Sequence, residues 1–573
     1  MSERQTMEVD VVCVGFGPAT AGFLTTLSRA TGLESAACPG MPLQVLCYER
    51  ADDVGFGVSG VVTRARGIRA SFPELNPAEI PMATPVTGEK VVFLLDPIGA
   101  SVRSSGMRAA ERVLNAANLP RQSAVELPYT PPFLEKHDGI VMSVGQFLQY
   151  VAGHLMAQGA VQIWPGMPVR EPLIEDNAVR GIRLADMDIR AALTVVGDGP
   201  VGCVGRQIDQ HFGMPPSHCS REWAVGMKMV VGLAVDLAPG TVIHTFGFPE
   251  PEIFGFLSAH PARIATAGIF VPSWLRSPAR TSYRYLQHFI QHPYLWQYMQ
   301  GAKLRSWGAK SLQESGRRGE PYLAGNGYAR IGEGSGSTNV LTGSGVDEAW
   351  TTGTQLAEGV IELLRSGKPM TRENLEQMYV ARRRASWLEE ESRTAECARD
   401  GFHSGLLSGL FGMALAGFTK GKVAFSGEPK RALSFEDYYQ DKLSHDEVRR
   451  IVLDCRTKGL STHDALMDRV GWPRIEHDGQ LLMTQQDALL LGGKVQAAPG
   501  DDHVHIVDQQ VCRKCDNKLC VEICSGQALG AAVDGVPTFD REKCVHCGAC
   551  QWNCELGNLI FEAGSGGLHS SEN

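Results

Sequence analysis

The run Val11-Val12-Cys13-Val14-Gly15-Phe16-Gly17-Pro18-Ala19-Thr20 decides the fold. An apolar stretch ends at Val14, a glycine-rich turn follows, and a helical pattern opens at Pro18. A second apolar run, Gln44 to Glu49, completes strand, turn, helix and strand. That order opens a doubly wound α/β sheet with a dinucleotide fingerprint at its first turn. Gly15 permits the tight turn and Gly17 lets the backbone approach a pyrophosphate. The helix start at Pro18, Ala19 and Thr20 offers free N–H groups and the positive end of the helix dipole. Thr20 stands where the fingerprint usually has its third glycine, so helix-on-strand packing has to accept a side chain there. Glu49 closes the second strand, where a carboxylate accepts from an adenosine ribose, and Arg50 follows it. The loop Thr31 to Leu43 accounts for the long spacing. Taken alone, the motif also reads as a plain glycine turn.

The bulk composition is that of an ordinary globular protein and unlike that of a nucleic-acid binder. Its 573 residues suit two or three domains. With 54 basic against 63 acidic residues the net charge is -9, which disfavours a phosphate-backbone partner, so no nucleic acid is expected. Met1 to Asp10 carries no basic segment followed by an apolar run, and the cytoplasmic side is the expectation. Fifteen cysteines are present, eight of them between Cys512 and Cys554. In a reducing compartment such crowding points to metal ligation rather than disulfides.

The spacing is Cys512-x2-Cys515-x4-Cys520-x3-Cys524, then Cys544-x2-Cys547-x2-Cys550-x3-Cys554. In two-cluster ferredoxins three cysteines of each run hold one cubane and the fourth crosses to the other. On that rule Cys512, Cys515, Cys520 and Cys554 hold one [4Fe-4S] cluster, and Cys544, Cys547, Cys550 and Cys524 the second. Tetrahedral zinc is the competing reading of paired Cys-x2-Cys units.

From Gly401 to Phe418 no residue is formally charged, and five glycines interrupt the stretch. Leu406, Leu407, Leu410, Phe411, Ala414 and Phe418 form one face, and Ser404, Gly405, Ser408 and Gly412 another. This reads as an insert lying in a membrane interface, with a buried core helix as the alternative. The expected organisation is residues 1–400 as a nucleotide-binding domain with an interleaved domain at about 215–305, then 401–425 as the interfacial segment. A helical connector over 426–500 and a cysteine-rich domain over 501–573 complete it.

Two more glycine-rich stretches, Gly197-Asp198-Gly199-Pro200 and Gly332-Glu333-Gly334-Ser335-Gly336, follow apolar residues and suit a flavin or its phosphates. With Gly308 to Glu314 and Gly332 to Glu358, including Gly345, they resemble the electron transfer flavoprotein:quinone oxidoreductases and the related geranylgeranyl reductase-like flavoproteins. The resemblance implies a Rossmann-type FAD-binding domain of the glutathione-reductase type. It also implies a quinone- and membrane-facing domain and a C-terminal ferredoxin-like domain of α+β class. Gly15, Gly17, Pro18, Ala19, Thr20, Glu49, Arg50, Asp198, Gly199, Gly332, Glu333 and Gly345 would contact FAD, and Phe254 and Gly255 a quinone. Glu333 stands where the family has aspartate, and Ser143 where it often has a phosphate-binding arginine. Members of the family usually carry one cluster, on cysteines matching Cys524, Cys544, Cys547 and Cys550. The other four cysteines resemble a ferredoxin-like partner fused to the flavoprotein. The resemblance implies electrons from a reduced electron transfer flavoprotein, an αβ heterodimer, to a membrane quinone, at the cytoplasmic face of a lipid bilayer. A prenyl-lipid reductase and a non-catalytic electron-relay subunit are the alternatives.

Overall fold

The computed structural model describes residues 4–55, 60–214, 222–425, 427–491, 494–495, 502–532, 534–562 and 567–568. It is a mixed α/β protein. The first strand, Gln5–Val14, pairs in parallel with Met187–Val196 on one side and Val45–Tyr48 on the other. Gln162–Trp164 and Tyr328–Arg330 extend the parallel sheet outward. Its strands are β-branched and buried on both faces, as a doubly wound sheet requires. The first helix, Pro18–Ser28, is sandwiched between this sheet and the long helix Val346–Arg365. These helices touch backbone to backbone. A Cβ on Gly353 would lie 1.8 Å from the Ala19 carbonyl, and one on Gly22 2.5 Å from that of Trp350. Thr20 is accommodated because the next strand's end gives way: a Cβ on Gly197 would sit 2.4 Å from the Thr20 hydroxyl.

The second sheet has seven strands in the order Lys303–Gln313, Trp223–Gly232, Ile264–Pro272, Phe254–His260, Thr241–Phe246, Gly88–Leu94 and Ala124–Glu126. Two of its strands therefore come from the chain before residue 130. Alternation assigns its faces. Val225, Met227, Met229, Ala265, Ala267 and Ile269 form a core with helices Ser282–Ile290 and Pro293–Met299. Gly226, Lys228, Gly268 and Phe270 lie on the opposite face.

The C-terminal cysteine-rich region contains two short antiparallel pairs, Val504–Ile506 with Leu559–Phe561 and Leu529–Gly530 with Thr538–Phe539. The third cysteine of each run, Cys520 and Cys550, lies on a short helix, Leu519–Glu522 and Ala549–Trp552. This region is bolted to the second sheet. The Ser311 N–H donates to the Cys547 carbonyl at 2.9 Å, and buried Arg280 donates to Asn553 Oδ1 at 2.8 Å. Trp223 stacks on Trp552 with 3.9 Å between centroids and 4° between planes. Among the described residues no helix is long and apolar enough to cross a membrane.

Candidate functional site

Two cavities and a set of thiols lie in sequence through the molecule. The first cavity, about 260 Å³, sits at the carboxyl ends of the parallel strands and is lined by Gly15, Gly17, Pro18, Glu49, Arg50, Asp198 and Gly199. Gly15 has φ +83°, and its N–H donates to the Tyr48 carbonyl at 2.8 Å. In front of Gly17 and Gly199 a Cβ would meet nothing within 4 Å, which leaves the turn open to a phosphate. Glu49 accepts from the Phe16 N–H at 2.8 Å and the Ala51 N–H at 3.0 Å, so its carboxylate is held in place. Desolvation raises the Asp198 carboxyl although it accepts from the Gly205 N–H at 2.9 Å. Ala19 and Thr20 do not line this cavity; they are buried in the helix behind it. Ser143 caps the helix Val144–Gln158 by accepting from the Gln146 N–H at 3.2 Å.

Gly332 and Glu333 line neither cavity. Gly332, at φ +72°, donates its N–H to Thr352 Oγ1, and a Cβ there would meet that of Ala19 at 2.9 Å. Glu333 accepts from the Gln313 N–H at 3.0 Å, and burial pushes its carboxyl up to about 7 against the pull of Lys310 and Lys228. Lys310 lines the first cavity and Lys228 the second. Both ammonium groups are lowered to about 8 by desolvation. Glu333 thus lies within reach of one lysine from each cavity.

The second cavity, about 520 Å³, is largely apolar and brings together segments far apart in the chain. Phe254, Gly255 and Gly345 line it, with Leu127, Tyr129, Phe133 and Leu134 from the proline-rich loop and Leu410, Met413 and Phe418 from the helix Leu406–Phe418. Gly255 does so with its backbone. Its missing side chain is accounted for on the other face of the sheet, where a Cβ would lie 2.7 Å from the Phe289 ring. Lys136, Lys228, His244 and Arg399 are the cavity's basic residues. Sequence reading overlooked all four, because isolated basic residues carry no periodic signal.

The apolar helix keeps outward most of the face read from its sequence, Leu406 alone of that face being buried. Leu406, Gly409, Gly412, Met413 and Ala416 face inward, since glycines let it pack against Phe402 and Phe425. Leu407, Phe411 and Phe418 point outward with 52%, 63% and 88% exposure. Exposed Tyr129 belongs to the same cavity rim as Phe418.

The thiols fall into two groups. Cys520 feels the charges of Cys554, Cys515 and Cys512, whereas Cys550 feels chiefly those of Cys547, Cys524 and Cys544. Burial raises the Cys524 thiol to about 11 and pushes Cys520, Cys544 and Cys550 up further. Groups so poorly solvated stay neutral unless a cation draws off their protons. N–H groups point at the sulfurs: Ala528 and Leu529 at Cys524 (3.1 and 3.3 Å), His546 at Cys544 (3.4 Å), and Asn558 at Cys554 (3.2 Å). Such bonds are part of the surroundings that set an iron–sulfur potential. His503, Cys544 and His546 also bring ligand atoms within 4.8 Å of one another, the spacing of a single-ion site. The group containing Cys547 adjoins the first cavity. Arg50 Nη1 lies 2.9 Å from His546 Nδ1, and a Cβ on Gly548 would touch Val201. In the other group Cys512, Cys515 and Cys554 are partly exposed.

A nucleotide-type cavity, an apolar cavity and paired thiol groups built around a doubly wound sheet define the class, an oxidoreductase. More particularly, the chain is 27% identical over 415 residues to the electron transfer flavoprotein-ubiquinone oxidoreductase of Pseudomonas aeruginosa, covering 68% of this chain and 69% of that one. It is 25% identical to the mitochondrial electron transfer flavoprotein-ubiquinone oxidoreductase of Mus musculus, covering 99% of this chain and 89% of that one. These names bear out the resemblance read from the sequence. No family model matches. A geranylgeranyl bacteriochlorophyll reductase-like protein from Thermoplasma acidophilum shares the fold, with a TM-score of 0.52 and 15% identity over 73% of this chain and 93% of that one.

Proposed function

We propose that the chain carries electrons from a reduced electron transfer flavoprotein, an αβ heterodimer, to a membrane quinone through two [4Fe-4S] clusters and one FAD. The observation that carries this is the closeness of the inner thiols to the first cavity. Glu333 is within reach of one lysine from each cavity, and the second cavity opens beside exposed Phe418 and Tyr129. The first cavity suits the adenosine and pyrophosphate of FAD, with Glu49 toward a ribose and the Gly15–Pro18 turn toward phosphates. The apolar cavity suits a quinone head, with Gly255 and Phe254 in its wall and Gly345 on the flavin side.

Cys512, Cys515, Cys520 and Cys554 would hold an outer cluster, and Cys524, Cys544, Cys547 and Cys550 an inner one, with four-thiolate zinc the reading that iron and sulfide analysis tells apart. When bound, FAD links two-electron and one-electron chemistry, and the clusters pass single electrons. The protein's own work is to place these groups, to exclude water with the Trp223–Trp552 stack and the Arg280–Asn553 bond, and to feed protons to the quinone. The outer group's partial exposure makes it the port for the electron donor. Leu407, Phe411 and Phe418 would dip into the cytoplasmic leaflet, so that a lipid-soluble quinone reaches the cavity without leaving the bilayer.

The test is iron, acid-labile sulfide and flavin analysis of anaerobically purified protein, followed by quinone reduction with reduced electron transfer flavoprotein. About eight irons per FAD and quinol formation are expected. Protein without flavin, or with flavin but no quinol formed, defeats the proposal.

A further inference from the structure

Reducing a quinone requires protons as well as electrons: Q + 2e⁻ + 2H⁺ gives QH₂, with two O–H bonds formed. Electrons passed through thiolate-held clusters arrive singly and without protons. Both protons must therefore be drawn from solvent into an apolar cavity. This inference rests on the proposed quinone chemistry and names the residues that complete it.

One wall of the cavity is titratable. Lys136 is almost fully buried, lines the cavity, and donates through Nζ to the Thr342 carbonyl at 2.6 Å. Its backbone N–H donates to Glu89 Oε2 at 2.6 Å, while Glu89 Oε1 lies 3.2 Å from His244 Nε2, which lines the same cavity. The charged groups around Lys136 are Glu348 from the long helix, Glu89 from its strand, Arg64, and Glu391, which is about a quarter exposed. Glu348 in turn accepts from Ser344, another cavity residue, at 2.8 Å. Burial lowers the Lys136 ammonium to about 8, which suits an acid that must both give and regain a proton near neutrality. The other cations of the cavity are less suited. Arg399 does not release protons, and Lys228, tied to the Gly60 carbonyl at 3.1 Å, has Glu333 as its charged neighbour.

We propose that Lys136 ends the proton route to this cavity, protonating the reduced quinone oxygen and regaining its proton from solvent on the side of partly exposed Glu391, with Glu89 positioning both Lys136 and His244. The experiment uses the complete protein with its cofactors, reduced stoichiometrically with dithionite and mixed in stopped flow with a short-chain ubiquinone. It is repeated with ferricyanide, which takes an electron and no proton. In Lys136→Met, quinol formation is expected to slow about 100-fold or more, with the ferricyanide rate, flavin spectrum and iron-to-flavin ratio unchanged. Glu89→Gln is expected to slow the quinone reaction less, and it carries the same test if Lys136→Met does not accumulate. Equal slowing toward both acceptors, or an undisturbed quinone rate, overturns the route. Wild-type protein that reduces ferricyanide but no quinone overturns the proposed function itself, so the two failures are separable.

Discussion

His503 Nε2 lies 3.3 Å from Cys544 Sγ, and the His503 ring stacks on His546 at 4.2 Å between centroids. Both rings are buried at the edge of the inner thiol group. A hydrogen bond to a ligand sulfur favours the reduced, more negative cluster and so raises its potential. His503→Phe should lower the midpoint of one of two cluster signals by about 59 mV, a tenfold change in a one-electron equilibrium. His503→Gln, which can place an N–H in the same position, should restore much of it. Potentiometric EPR titration checks both, and unchanged midpoints in the phenylalanine variant would show that the bond does not tune the cluster.

Gly353→Ala should abolish flavin binding. The added Cβ would lie 1.8 Å from the Ala19 carbonyl and 2.7 Å from the Phe23 backbone nitrogen, so the long helix must withdraw from the first one. Backbone cannot yield as a side-chain tip does, and overpacking of this kind costs about 1–3 kcal/mol or more. The displaced helix begins beside Gly345 and Thr342, which line the second cavity. Flavin fluorescence released on denaturation, measured per mole of protein, gives the answer; a full complement of FAD would contradict the packing argument.

The first turn was legible because Gly15 and Gly17 answer a local demand, a tight turn open to an anion, that few other residues meet. The grouping of the thiols was legible because short intervals between cysteines keep their sulfurs close together. The accommodation of Thr20 was not, since the missing side chain belongs to Gly197, far along the chain. The inward turn of Leu406 was not legible for a related reason, because the packing of Gly409 and Gly412 against Phe402 and Phe425 sets the rotation of the apolar helix. The titratable cavity wall depends on Glu89, Lys136, His244 and Glu348, which only the three-dimensional fold brings together.

Replacing Phe411 and Phe418 by aspartate should release the protein from liposomes while leaving its flavin and iron content intact. Both side chains are mostly exposed and neither supports the core. Each buried apolar side chain of this size is worth about 1.5–3 kcal/mol, so the double variant should lose at least tenfold in membrane affinity. Flotation on anionic vesicles is the measurement, with flavin and iron content as the control. Retained flotation would mean that another surface holds the membrane.

Stability should fall as pH rises from about 5 to about 8, and Glu250 should account for much of the fall. Burial, with the nearby charge of Glu252, raises the Glu250 carboxyl to about 8, although Tyr285 donates to it at 3.1 Å. The folded state therefore keeps a proton that the unfolded chain has released above its ordinary carboxylate range. The sign follows from linkage: between those two values the folded form binds more protons, so each pH unit of increase removes up to about 1.4 kcal/mol until the folded carboxyl ionises. Above about 8 Glu250 contributes no further slope. Glu250→Gln deletes the titration while keeping a partner for Tyr285, so its Tm from pH 5 to 9 should decline less steeply. Glu252, raised to about 7 by the same burial, should leave a residual slope. Thermal scanning of wild type and variant across that range decides the matter, and parallel curves would remove Glu250 from the explanation.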